Sequence, residues 1–138
     1  MNEMKLSFLA KMENESFARC SVIAFLMPMN LNTQQVMEIK TIVSEGVSNA
    51  ILHGYAMQEN AYVNIHVSYD NKRLIKICIE DQGKGIEDID LALQPLYTTK
   101  IEEERCGMGM CIMSAFASSF KCISKVNEGT KLVIEKQV

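Results

Sequence analysis

The fold of this chain is decided by residues 38–55, which read EIKTIVSEGVSNAILHGY. In and just before this stretch, apolar residues recur close to the 3.6-residue period of a helix with one buried face. The start of this helix is predicted at Asn32, because Gln35 three residues later completes a capping box. Gly54 suits its C-terminal end. The apolar stripe consists of Val36, Ile39, Val43, Val47, Ala50 and Ile51.

The flanking segments predict a sheet with helices packed against it. Alternation in residues 62–69 and 74–81, joined by a polar turn, predicts a β-hairpin. Further strands are expected at 4–10, 120–126 and 130–136, and further helices at 15–27, with Asn14 as N-cap and Pro28 at its end, and from about Met108. The order β-α-α-β-β-α-β-β predicts an α+β fold, a two-layer α/β sandwich with helices on one face of a mixed, mostly antiparallel sheet.

Composition excludes several classes of protein. The 138 residues are expected to form a single domain, 1–138, and 48% of them are hydrophobic, enough for a sizeable core. A net charge of −3 without a Lys/Arg cluster argues against nucleic-acid binding. Without a bilayer-spanning apolar run or a signal peptide, a cytoplasmic location and no membrane partner are expected. Five cysteines without C-x-x-C spacing argue against disulfide and zinc frameworks.

Glu45 and Asn49 are the first candidate functional residues. They are four positions apart and therefore lie on one face of the predicted helix, at the border of its apolar stripe. A carboxylate and a carboxamide there could supply a general base and an oxygen ligand for a hard cation such as Mg²⁺. The solvated polar edge of an ordinary amphipathic helix would show the same spacing, so this pair alone leaves both interpretations open.

Asp81 ends a predicted strand, on the side that carries the isoleucines of that strand and should face the helices. A carboxylate on that side needs a partner, and an exocyclic amine such as that of adenine could provide it. An aspartate that begins a turn is the alternative. Thr130 lies on a later strand, where its hydroxyl could join Asp81 or could reflect only the strand propensity of threonine.

Two glycine pairs follow, Gly83 with Gly85 and Gly107 with Gly109. The first could admit a ligand close to the backbone or could form a plain turn. The second directly precedes a predicted helix, where free N–H groups and the helix dipole favour an anion. The second pair is not a Walker A loop, because G-x-x-x-x-G-K-[ST] is absent, and it is not a Rossmann turn, because no predicted strand runs directly into it.

The polar segment 91–106 lies between the glycine pairs. A segment of this length inside a compact domain is usually functional or disordered. Lys100 and Arg105 could contact phosphates, and ordinary solvated charge is the alternative.

In combination and in this order, the motifs are specific. The chain resembles the Bergerat ATP-binding fold of gyrase, heat-shock chaperones, histidine kinases and MutL. Over nearly all 138 residues it is most similar to the anti-sigma F factors, serine kinases of spore-forming bacteria. The closer resemblance rests on NESFAR at 14–19, on residues 38–55, on DQGKGI at 81–86 and on QPLYTTKIEEERCGMGM at 94–110.

The resemblance implies a role for each matching position. Glu45 would be the catalytic base for a serine hydroxyl, Asn49 would bind Mg²⁺, and Asp81 would accept from the adenine amino group with Thr130 beside it. The other implied contacts with ATP or ADP are Gly83, Gly85, Thr99, Lys100, Arg105, Gly107, Met108 and Gly109, with residues 95–105 as a lid. Arg19 and Ser48 would contact a partner protein, with Ser48 next to the site on the exposed helix face.

The implied function is that of an anti-sigma factor with kinase activity. It would bind and inhibit a sporulation RNA polymerase sigma factor of the sigma-F type as a homodimer. It would use ATP and Mg²⁺ to phosphorylate a serine of an anti-anti-sigma factor. The alternatives are a nucleotide-gated binding module with little kinase activity, a chaperone-type ATPase and the ATP-binding domain of a histidine kinase. The last would need an upstream phosphoacceptor helix pair, and the first helix is already expected near residue 15.

Overall fold

The computed structural model describes residues 1–55, 60–85 and 109–138. Its helices are α1 (Glu13–Phe25), α2 (Thr33–Asn49) and α3 (Gly109–Phe116), with a 3-10 turn at Met27–Met29 and a π turn at Ala50–Gly54. Its strands are β1 (Asn2–Leu9), β2 (Tyr62–Tyr69), β3 (Leu74–Asp81), β4 (Ser119–Lys125) and β5 (Gly129–Gln137). Within these ranges, the order of elements agrees with the one predicted from periodicity. No helix in these three ranges is long and apolar enough to cross a bilayer.

The strands of the described ranges form one five-stranded sheet in the order β1-β2-β3-β5-β4, and every pairing is antiparallel. The register brings Asp81 of β3 opposite Thr130 of β5, and Thr130 opposite Ser124 of β4. Directly opposed residues of an antiparallel sheet share a face. These three side chains therefore form a row across one end of the sheet.

The helices cover one face of this sheet. α2 packs against both α1 and α3. Burial alternates along β2 and β3, as expected for strands with a single covered face. The buried apolar residues of β2 and β3 are Val63, Ile65, Val67, Ile75, Ile77 and Ile79. The two-layer α+β architecture expected from the sequence is confirmed.

The starts of the first two helices differ from each other. At α2 the capping box is confirmed: Gln35 N–H donates to Asn32 Oδ1 at 2.8 Å, and Asn32 N–H donates to Gln35 Oε1 at 2.9 Å. The prediction of Asn14 as the N-cap of α1 is wrong. The helix already begins at Glu13, and Asn14 Nδ2 donates to the Leu9 carbonyl at 2.9 Å. The asparagine side chain therefore ties α1 to the end of β1, where a backbone acceptor is available.

A buried ion pair joins β5 to two helices. Lys136 is 7% exposed, and its Nζ donates to Glu38 Oε1 of α2 at 2.9 Å and to the Phe116 carbonyl at 2.7 Å. The ammonium thereby satisfies a carbonyl at the end of α3, where helices leave acceptors unpaired. The hydrogen bond from Lys136 lowers the pKa of Glu38 and outweighs the partial burial that raises it.

Replacing Glu38 with glutamine is expected to destabilise the fold, because Lys136 would remain buried without its counter-charge. Removing one partner of a buried pair costs about 3–5 kcal/mol, and the remaining bond to Phe116 favours the lower end. Because the pKa of Glu38 is lowered by folding, its ionised carboxylate stabilises the fold above the pKa that Glu38 has in the unfolded chain. This stabilisation is lost as the pH falls through the pKa that Glu38 has in the folded state. Urea unfolding measures the free energy of unfolding of both proteins, and the difference between Glu38→Gln and wild type should become smaller in acid. A difference that does not change with pH would contradict this account.

Candidate functional site

Glu45, Asn49 and the start of α3 form the first part of the site. Glu45 and Asn49 lie one turn apart on α2, and both are half-buried. The Cα of Gly109 lies directly against them. A methyl group placed there would come within 2.7 Å of Glu45 Oε2 and 3.3 Å of Asn49 Nδ2. A larger residue at position 109 would displace the glutamate carboxylate, so the structure brings the E-x-x-x-N motif and Gly109 together.

The second part of the site lies where α2 ends. Its last turn is a π turn, in which Tyr55 N–H donates to the Ala50 carbonyl at 2.9 Å. Such turns hold one residue more than an α-helical turn and often occur at functional sites. This one brings Gly54 against Asp81: a methyl group on Gly54 would come within 2.8 Å of Asp81 Oδ1.

Asp81 is 7% exposed and faces the helix layer, as strand phase predicted. Burial raises the pKa of its carboxyl, and hydrogen bonds from the backbone of Gly83 and Thr130 act in the opposite direction. The bond from Gly83 N–H to Asp81 Oδ1 is 2.9 Å long. A carboxylate offers about four acceptor positions. Two backbone donors therefore leave it able to accept from a ligand amine.

Gly83 and Gly85 are required for close backbone packing. A methyl group on Gly83 would lie 2.0 Å from the Gly54 carbonyl oxygen, which also accepts from Lys84 N–H at 2.9 Å. Gly85 has φ of +75°, and a methyl group there would lie 2.1 Å from the Lys125 carbonyl oxygen. The first glycine pair thus brings the segment after β3 against both the end of α2 and the β4–β5 hairpin. A ligand contact would come in addition to this role.

Thr130 lies opposite Asp81, but its hydroxyl makes a contact that the sequence did not predict. Thr130 Oγ1 lies 2.8 Å from Ser124 Oγ, and Ser124 also donates to the Gly129 carbonyl at 3.0 Å. A serine on a strand belongs to no motif. The signal that could have found Ser124 is hairpin register, which places it opposite Thr130 across the turn.

Tyr55 is a second residue that motif reasoning did not single out. Its hydroxyl accepts from Gln82 N–H at 2.7 Å and donates to the Tyr62 carbonyl at 2.7 Å. The ring is buried, and burial is the main cause that raises the pKa of the hydroxyl. Tyr55 therefore holds the residue after Asp81 against the beginning of β2.

Replacing Tyr55 with phenylalanine is expected to lower the free energy of unfolding by about 1–3 kcal/mol, because Gln82 N–H and the Tyr62 carbonyl lose their common partner. The matched control is Tyr69→Phe, since the Tyr69 hydroxyl accepts an exposed hydrogen bond from Asn2 at 3.2 Å. That change should cost less than about 0.5 kcal/mol. Denaturant unfolding of both variants measures the difference, and equal costs would contradict the bridging role.

Comparison with known proteins assigns the family. Residues 8–136 match the histidine kinase-like ATPase domain. The chain is 47% identical over 135 residues to the anti-sigma F factor of Clostridium kluyveri, an alignment that covers 98% of this chain and 94% of that protein. The chain belongs to the anti-sigma F factor family. The anti-sigma F factor of Halalkalibacterium halodurans is likewise 47% identical, over 99% of this chain and 93% of its own length.

Membership in the anti-sigma F factor family confirms the family-level expectations. These are an ATP-binding domain and the activity of an ATP-dependent serine kinase. A solved structure, the RsbU and RsbW domains of Rv1364c from Mycobacterium tuberculosis, superposes with a TM-score of 0.71 at 14% identity. It covers 99% of this chain and 32% of that longer chain. This likeness shows the fold alone, and it agrees with the predicted α+β class.

Arg19, the partner-contact residue implied by the anti-sigma F factor resemblance, lies on α1 and remains 35% exposed. Its Nη1 lies 3.3 Å from Glu15 Oε1 and 3.3 Å from Ser44 Oγ, and Ser44 also donates to Glu15. Ser44 directly precedes Glu45, so this cluster connects α1 to the segment of α2 that carries the site. Ser48, expected on an exposed face, is half-buried.

Several positions implied by the anti-sigma F factor resemblance lie outside the described residues, together with the segment 95–105 expected to form the lid. These positions are Thr99, Lys100, Arg105, Gly107 and Met108. Their contacts with ATP stay predictions.

Proposed function

We propose that this chain binds ATP and ADP along α2, with the phosphates at the start of α3, and transfers the γ-phosphoryl group of ATP to a serine of an anti-anti-sigma factor. The observation that carries the proposal is the contact of Gly109 with Glu45 and Asn49. It combines a helix start, which favours phosphate, with a carboxylate that can accept a proton and an amide oxygen that can bind a cation.

Adenine is proposed to bind at Asp81 and Thr130. The buried carboxylate has acceptor capacity for the exocyclic amine, and Thr130 lies opposite it on the same face of the sheet. Gly54, which contacts Asp81, follows Glu45 by nine residues, roughly 13 Å at the rise of a helix. The proposed adenine position at Asp81 and the proposed phosphate position at Gly109 are therefore separated along α2, which leaves room for a nucleotide bound in an extended conformation.

Asn49 fits the proposed Mg²⁺ site. Mg²⁺ in nucleotide sites commonly takes one or two protein oxygens and completes its shell with phosphate and water oxygens. The Asn49 amide lies beside Gly109, where the phosphates are proposed to bind. When bound, Mg²⁺ would neutralise charge on the phosphate oxygens.

In the proposed reaction, Glu45 accepts the proton of the serine hydroxyl, directly or through one water, while the serine oxygen attacks the γ-phosphorus. The bond from the γ-phosphorus to the bridging oxygen breaks, and ADP leaves with that electron pair. The products are phosphoserine, ADP and the proton held by Glu45. Most of the acceleration would come from positioning and charge placement, as is usual for phosphoryl transfer.

We extend the proposal to the protein partners. The chain, acting as one domain over residues 1–138, would bind and inhibit an RNA polymerase sigma factor of the sigma-F type as a homodimer in the cytoplasm. The name of the relatives, anti-sigma F factor, supports this partner. If the ATP and ADP states differ in their affinity for the sigma factor and the anti-anti-sigma factor, the bound nucleotide would select between them.

Incubation with γ-labelled ATP, Mg²⁺ and the anti-anti-sigma factor of the same organism tests the proposal. We expect label on a serine of the added protein. Label on a histidine would instead support the histidine kinase alternative. Bound ATP without transfer would support the nucleotide-gated module, and failure to bind ATP would contradict the site itself.

A further inference from the structure

The Ser124 hydroxyl occupies a position that the proposed reaction does not use. Ser124 lies opposite Thr130 across the β4–β5 hairpin, and their hydroxyl oxygens are 2.8 Å apart. We propose that Ser124 is a specificity-determining residue for the base. It would orient the Thr130 hydroxyl as a hydrogen-bond acceptor, so that the pocket selects a purine with an amine at C6 over one with a carbonyl there.

The orientation follows from the hydrogen bond to Gly129. Ser124 Oγ donates to the Gly129 carbonyl at 3.0 Å, and a carbonyl oxygen can only accept. In the proposed arrangement the single Ser124 proton is directed there, so that Thr130 is the donor in its contact with Ser124. The Thr130 hydroxyl proton then points toward Ser124, and its lone pairs point elsewhere.

The register places this acceptor beside a second one. Asp81 lies opposite Thr130 on the neighbouring strand, on the face that carries the helices. The Asp81 carboxylate accepts from backbone N–H groups and keeps further lone pairs. The row Ser124, Thr130 and Asp81 therefore presents two acceptors at the proposed base end.

Two adjacent acceptors discriminate between an amine and a carbonyl. An amine at C6 offers two protons to such a pair, whereas a carbonyl would face oxygen lone pairs. Sites with fixed donor and acceptor roles reject a mismatched ligand strongly, because buried polar groups remain unpaired. Without Ser124, the Thr130 hydroxyl could rotate and donate to a carbonyl. This inference rests on the proposed binding of adenine at Asp81.

Titration calorimetry with ADP and with inosine diphosphate, which carries a carbonyl at C6, tests the inference. The preference is the dissociation constant of inosine diphosphate divided by that of ADP. Ser124→Ala should reduce this ratio by about 3- to 10-fold, which corresponds to the loss of one hydrogen bond. Cys122→Ala is the matched control: Cys122 lies two residues earlier on the same face of β4, opposite Leu132. It should keep the wild-type preference. An equal preference in the two variants would overturn the inference.

A second background keeps the test independent of the folding of any one variant. Thr130→Val removes the hydroxyl that Ser124 is proposed to orient, so adding Ser124→Ala to it should change the preference no further. Ser124→Thr retains a hydroxyl and should keep the wild-type preference. If Ser124→Ala still reduces the preference for ADP over inosine diphosphate when Thr130 is already valine, the inference is overturned.

Asp81→Asn separates this inference from the proposed function. If that variant keeps the full preference for ADP, the base does not bind at Asp81 and the proposed function fails at this point. If Asp81→Asn removes the preference and Ser124→Ala does not alter it, the base is placed correctly and only the role of Ser124 is wrong.

Discussion

Replacing Glu45 with alanine is expected to abolish serine phosphorylation while ATP and ADP remain bound. A positioned general base contributes about 10²- to 10⁴-fold to the rate, and removal of the carboxylate eliminates this contribution. The residues proposed to bind adenine, Asp81 and Thr130, belong to the sheet and are unaffected by the change. Single-turnover transfer rates and dissociation constants for ADP, measured on the same preparation, separate the two effects.

Glu38→Gln is the matched control, because Glu38 is the other glutamate of α2 and its carboxylate binds Lys136. This variant should lose stability and still transfer phosphate at the wild-type rate under conditions in which it is folded. If Glu45→Ala transfers at the wild-type rate, Glu45 is not the base. If Glu38→Gln slows transfer equally, the loss in Glu45→Ala reflects damage to α2.

Asp81→Asn is expected to weaken ADP binding by about 10- to 150-fold, the worth of a hydrogen bond to a charged group. The amide keeps the size of the carboxylate, but it loses the negative charge and part of the acceptor capacity that would meet the adenine amine. Glu80→Gln removes the same charge from the neighbouring position of β3, whose side chain points to the other face of the sheet. That control should bind ADP as wild type does.

The same variant is expected to leave the unfolding temperature without nucleotide unchanged or higher. The pKa of Asp81 is raised, chiefly by burial. Stability from such a group is present below the pKa of the unfolded chain and is lost as pH rises through the folded pKa. Above the pKa of the unfolded chain, the burial of this carboxyl therefore costs stability, and the amide avoids this cost. A variant that lost both nucleotide binding and thermal stability would assign Asp81 a structural role instead.

The fold was predictable where periodicity and turn chemistry agree. The α2 helix carries a helical stripe, a capping box and a terminal glycine, and all three are present in the structure. The prediction of Asn14 as an N-cap was wrong because asparagine can satisfy any nearby backbone carbonyl, and the choice of Leu9 depends on the approach of β1. Sequence alone does not contain that approach.

The candidate site was predictable only in part, for a related reason. Glu45, Asn49 and Asp81 stand in motifs, and strand phase gave the face of Asp81. Ser124 and Tyr55 stand in none, because their importance arises from partners that are distant in sequence or lie across a hairpin. Hydroxyl groups are common on strands and at helix ends, and only the pairing of elements shows which of them are engaged.

The π turn at Ala50–Gly54 makes the length of this segment matter more than its composition. If the five-residue turn is kept, deleting one residue before Gly54 would bring Tyr55 into the place of Gly54, where a methyl group would lie within 2.8 Å of Asp81 Oδ1. Inserting one residue would carry the glycine away from the carboxylate. Over evolutionary time, the number of residues between Asn49 and Gly54 should therefore stay constant, and insertions and deletions in this interval should be rejected.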